Sequence, residues 1–75
     1  MYVKLANELA RYVYMLSEAQ RLQLEESTIE YWDAKYHGLA RGVQIVTSDY
    51  PYVIRRNAHE VEVNIGDYQT VVTFN

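Results

Sequence analysis

Cysteine is absent, which removes disulfides, thiolate nucleophiles and thiolate metal ligands together. Only two histidines are present. With the scattered carboxylates they show no zinc-ligand spacing, so neither a metal site nor a cofactor is expected. Glycine and proline are scarce, and none of Gly38, Gly42 and Gly66 follows a strand in a phosphate-cradling context. No apolar run approaches the roughly 20 residues that span a bilayer. The N-terminus lacks the basic–apolar–small order of a signal peptide, because Glu8 and Arg11 interrupt it. The expectation is a chain without a membrane segment, resident in the cytoplasm, where lack of cysteine is ordinary. A basic excess is missing too. The net charge of −3 argues against a general affinity for nucleic acid, which needs a basic face to displace counterions.

Apolar surface is what the chain has. Of 75 residues 49% are hydrophobic, and eight are tyrosine. A single domain of this size buries only about 60% of the surface its unfolded chain exposes. Without disulfides or metal, a partner subunit is the remaining way to strengthen so small a core.

Two heptad-spaced seams organise the first two-thirds. Leu5, Leu9, Tyr12, Leu16 and Ala19 form one; Ile29, Trp32, Tyr36, Leu39, Val43 and Val46 form the other. Steps of three and four keep each set on one helical stripe. The first predicts a helix over 2–24, apolar on more than one side because Val3, Ala6, Ala10, Val13 and Tyr14 flank its seam. The second predicts a helix over 28–47, opened by Ser27 and Glu30 at capping-box spacing and closed by Ser48, Asp49 and Pro51. Were the helix continuous, Leu9 and Trp32 would sit roughly 140° apart around it. A turn near Gln23–Ser27 folds the seams together and places Trp32 between the helices, although no glycine or proline marks it.

The last third alternates with the period of two of half-buried strands, predicted over 52–56, 59–65 and 68–74. Gly66-Asp67 fits a two-residue hairpin loop, and Asn57-Ala58 takes the same role less clearly. These loops set Ile65 against Tyr68, Val63 against Thr70, Val61 against Val72 and His59 against Phe74. On the other side they set Ile54 against Val61, Tyr52 against Val63 and Arg55 against Glu60. The core face then holds Tyr52, Ile54, Val61, Val63, Ile65, Tyr68, Val72 and Phe74. The outer face holds Arg55, Glu60, Glu62, Asn64, Gln69 and Thr73, with Val53 and Val71 among them.

Chemistry is thinly signalled. His59, between two arginines and two glutamates, could act as a general base for a small hydrolase, but its register position caps the sheet edge. His37 lies one turn from Asp33 and from Arg41, the spacing of exposed helix pairs. Lys35, Arg41, Arg55 and Arg56, interleaved with tyrosines, are the contacts a nucleic-acid-binding regulator would use. Most of those aromatics, however, are assigned by periodicity to the core. Gly38 and Gly42 lie beside the second seam with Tyr31, Lys35 and Ile45. Each glycine costs a helix about 1 kcal/mol relative to alanine, so a close approach of backbone is expected there. It comes from the sheet of the same chain or from a helix of another.

The sequence thus predicts an α+β domain of order α-α-β-β-β, a helical hairpin on an antiparallel meander. Its expected function is that of a small non-enzymatic interaction module that forms a homodimer and binds another protein. Size and style suit an accessory protein of a phage or mobile element. The interface is expected on the helices, at Val3, Ala10, Val13, Tyr14, Tyr31, Gly38, Gly42 and Ile45.

Overall fold

The computed structural model describes Met1–Asn75 and has the predicted order. Helix α1 spans Tyr2–Arg21 and α2 spans Glu26–Thr47; strands β1 (Tyr52–Arg55), β2 (Glu60–Ile65) and β3 (Tyr68–Thr73) follow. The strands form an antiparallel sheet in the order β1-β2-β3. Helix α1 is the central element. It packs against α2 on one side and against all three strands on the other, while α2 leans mainly on α1. The shared core joins Ala6, Leu9 and Ala10 of α1, Ala40 and Val43 of α2, and Val61, Val63 and Ile65 of β2.

The turn between the helices is made without glycine. Gln23 takes a left-handed φ of 55°. Its N–H donates to the Gln20 carbonyl at 3.2 Å, and the Leu24 N–H reaches the Ala19 carbonyl at 3.0 Å. That pair of bonds is the Schellman closure, which satisfies carbonyls the helix end would otherwise leave open. α1 accordingly stops three residues before its predicted end. α2 starts at Glu26, and no side-chain bond caps it, so the expected box of Ser27 and Glu30 is not formed. Carboxylates of Glu25 and Glu26 at the positive end of the helix favour the earlier start. Trp32 is half-buried rather than enclosed, its ring 5.9 Å from that of Tyr12 and 5.0 Å from that of Tyr31.

The β2–β3 register is the predicted one, with Ile65 opposite Tyr68, Val63 opposite Thr70 and Val61 opposite Val72. Gly66 holds φ 59°, as the two-residue loop requires. An added Cβ there would also lie 2.7 Å from Asp49 Oδ2.

The β1–β2 register is displaced by one residue from the prediction. Ile54 faces Glu62, Val53 faces Val63 and Arg55 faces Val61. The reason is loop length. The Arg56 N–H donates to the Glu60 carbonyl at 2.9 Å, closing a loop over Asn57, Ala58 and His59 rather than over Asn57 and Ala58 alone. The Asn57 side chain braces it, Oδ1 accepting from the His59 N–H at 2.8 Å and Nδ2 donating to Glu60 Oε1 at 2.8 Å. One extra residue turns every β1 side chain to the opposite face. Val53 and Arg55 therefore point toward α1, whereas Tyr52 and Ile54 are exposed on the outer face with Val71.

Candidate functional site

Arg55 is the principal consequence of that inversion. A guanidinium on the helix-facing side of a sheet requires partners, and α1 supplies them. Nη1 donates to Ser17 Oγ at 2.6 Å and Nη2 to Glu18 Oε1 at 2.8 Å. Nε bonds the Asn57 carbonyl at 3.0 Å and Nη2 the Ala58 carbonyl at 2.9 Å. The guanidinium carbon lies 4.5 Å from the centre of the Tyr14 ring, close enough for cation–π attraction. Arg21 also bonds Glu18, at 2.7 Å. Hydrogen bonds from Arg55 and Arg21 hold the Glu18 carboxyl below the usual carboxylate range.

Around this cluster lies an open cleft of about 680 Å³, lined by Ser17, Glu18, Arg21, Arg55, Arg56, Asn57 and Ala58. Its size would admit a small ligand. Its arginines are nevertheless engaged: Arg55 and Arg21 with Glu18, and Arg56 with Glu62 at 3.5 Å. The cleft is the outer wall of a polar clasp between α1 and the end of β1.

The remaining basic candidates lie elsewhere. Lys35 Nζ sits 5.5 Å from the Tyr12 ring centre and 5.4 Å from that of Tyr31, and Arg41 is exposed on α2. Lys35 and Arg41 therefore belong to a helix surface, and Arg55 and Arg56 to the clasp. His59 Nδ1 is 3.2 Å from the Phe74 carbonyl oxygen at the sheet edge, with no carboxylate bonded to the ring. His37 pairs with Asp33 at 3.3 Å on the exposed face of α2.

The expected interface residues divide between two environments. Ala10 is fully buried, and Val13 and Tyr14 pack against the core, with Tyr14 stacked on Phe74 at 4.4 Å. Ala10 belongs to the interior of the single chain, and Val13 and Tyr14 are partly buried against it. α1 is covered on two sides, by α2 and by the sheet, and this uses the apolar surplus assigned to an interface. Val13→Glu would thus disrupt the fold itself. Val3 is exposed near the start of α1. The α2 set is different: Tyr31 is 53% and Ile45 76% exposed. No other part of the chain lies within 4 Å of a Cβ built on Gly38 or Gly42. The sheet of the same chain does not approach the glycines, so that explanation of them is removed.

Spacing alone marked part of this stripe and missed the rest. Ala34 lies between Tyr31 and Gly38 on the same side, at helical steps of three and four. Val46 is 67% exposed although its seam position predicted burial. From Ala34 to Ser48 the only charged side chains are Lys35 and Arg41, with His37 beside them. The outward face of α2 is therefore small-surfaced along its middle, apolar toward its C-terminal end and free of acid there. Comparison of the chain with protein-family models, with curated proteins and with solved structures found no match.

Proposed function

We propose that this chain is a small non-enzymatic interaction module that self-associates and binds a further protein through the outward face of α2. The observation that carries the reading is the open stripe of Tyr31, Gly38, Gly42 and Ile45, with nothing of the chain above its glycines. Glycine in an exposed helix costs about 1 kcal/mol relative to alanine and returns nothing within the isolated chain. Small residues at four-residue spacing let a second helix approach backbone to backbone. The surface suits a helix with small residues on its contact side and acidic residues flanking them, opposite Lys35 and Arg41. A cytoplasmic setting fits the absence of cysteine, and an accessory role for a phage or mobile element fits the size of the chain.

Site-specific photo-crosslinking tests the docking face. A crosslinking residue at Ile45 should capture one protein reproducibly, the same residue at Arg11 should not, and Gly38→Leu should abolish the capture. Equal capture from Ile45 and Arg11 overturns the reading.

A further inference from the structure

The free edge of the sheet at β3 differs in kind from the one at β1. Sheets commonly guard their edges with short strands, proline, charge or bulges. β1 has several of these: four residues, with Pro51 before it and Arg55-Arg56 at its end. β3 has none. Its six residues pair with β2 without a bulge, and from Tyr68 to Asn75 there is no charge, no proline and no glycine.

Its free backbone groups can be assigned. The Phe74 N–H donates to the His59 carbonyl at 2.6 Å, which marks a hydrogen-bonded pair at that end of the ladder. Such pairs alternate along antiparallel strands. Phe74, Val72, Thr70 and Tyr68 therefore direct their N–H and C=O groups to β2, whereas Thr73, Val71 and Gln69 direct theirs to the open edge. No turn, cap or side-chain bond reaches the backbone of these three.

We infer that the β3 edge pairs antiparallel with β3 of a second copy, across a twofold axis at Val71. This rests on the reading that the chain self-associates, and it assigns that association to the sheet, leaving α2 for the other protein. The partner is argued from self-complementarity. With Val71 opposite its own copy, Gln69 meets Thr73 of the second chain, so open backbone groups meet open backbone groups on both sides. Residues facing the helices also stay together: Thr70 opposite Val72, and Tyr68 opposite Phe74 at each end. Aromatic therefore meets aromatic and β-branched meets β-branched, the favourable cross-strand pairs. Although each chain carries a net charge of −3, no like charges oppose one another along this line. The twofold closes the assembly, whereas pairing β3 with β1 of the next chain would leave it open-ended.

Sedimentation equilibrium on the full chain, with amide hydrogen exchange, tests the assignment. The wild type should show a concentration-dependent mass approaching the dimer. The Gln69, Val71 and Thr73 amides should become protected as dimer forms. Val71→Lys and Val71→Glu, on the exposed outer face, should each weaken association about tenfold through like charges set opposite. An equimolar mixture of the two should restore it. Val71→Pro removes an N–H that β2 does not use, so circular dichroism should stay unchanged while the dimer is lost. A dimer that survives Val71→Lys but is lost in Gly38→Leu overturns the β3 assignment and leaves self-association standing. A wild type monomeric at every concentration overturns both.

Discussion

Arg55 Nη2 and Glu18 Oε1 lie 2.8 Å apart and tie the end of β1 to α1 across 37 residues of chain. The Glu18 carboxyl is held below its ordinary value of 4.5 by hydrogen bonds from Arg55 and Arg21. A depressed carboxyl contributes stability that is present above the unfolded-state pKa and lost as pH falls through the folded one. Wild type and Glu18→Gln should therefore differ in urea midpoint at neutral pH, with the difference shrinking as pH falls below 4.5 and gone only once the folded-state carboxyl is protonated. A difference that holds constant down to strongly acid pH would show that the carboxylate charge does not hold this clasp.

The displaced β1 register makes neighbouring residues respond in opposite ways. Val53→Asp places a carboxylate against α1 and should destabilise by more than about 2 kcal/mol. Ile54→Lys lies on the open side and should change stability by no more than about 0.5 kcal/mol. Urea denaturation reads both, and the reverse order of effects would restore the two-residue-loop register.

Gln23 occupies a backbone region that side chains with a Cβ enter at a cost of about 1–2 kcal/mol. Gln23→Gly should therefore raise stability by about 1 kcal/mol, because glycine enters this region freely and no buried contact is lost. A fall in the thermal midpoint would mean that the Gln23 side chain contributes something beyond its backbone.

Gly38 and Gly66 should respond oppositely to the same substitution. Gly66→Ala forces a left-handed φ on alanine and pushes its methyl toward Asp49, costing about 1–3 kcal/mol. Gly38→Ala meets nothing within 4 Å. It should stabilise the isolated chain by about 1 kcal/mol through helix propensity alone. The same methyl should weaken crosslinking from Ile45. A variant that is both more stable and equally well crosslinked would count against the α2 docking face.

The element order, the helical seams and the β2–β3 hairpin were legible because each rests on a local signal: periodicity, or a glycine where positive φ is needed. The helix turn was legible only through the phase of its seams, since Gln23 does the work usually given to glycine. The β1 face was misread for a definite reason. Tyr52-Val-Ile-Arg alternates in either phase, and only the length of the loop over Asn57–His59 decides between them. Burying Arg55 looked unfavourable from the strand alone; Ser17 and Glu18, which make it tolerable, lie 38 and 37 residues away. That Ala10, Val13 and Tyr14 pack on the core of their own chain was not legible, because sequence shows that a helix is apolar all round, not which neighbours cover it.

The stacking of Tyr14 on Phe74, with Tyr2 against Tyr68 at 5.5 Å, has a consequence for the order of assembly during synthesis. α1 leaves the ribosome long before β3 does, yet β3 contributes part of its seat. The helical hairpin can form early from local contacts, while its sheet-facing side stays wet until the meander is complete. For that interval the nascent chain displays Tyr2 and Tyr14, the side chains that later meet Tyr68 and Phe74, to the cell.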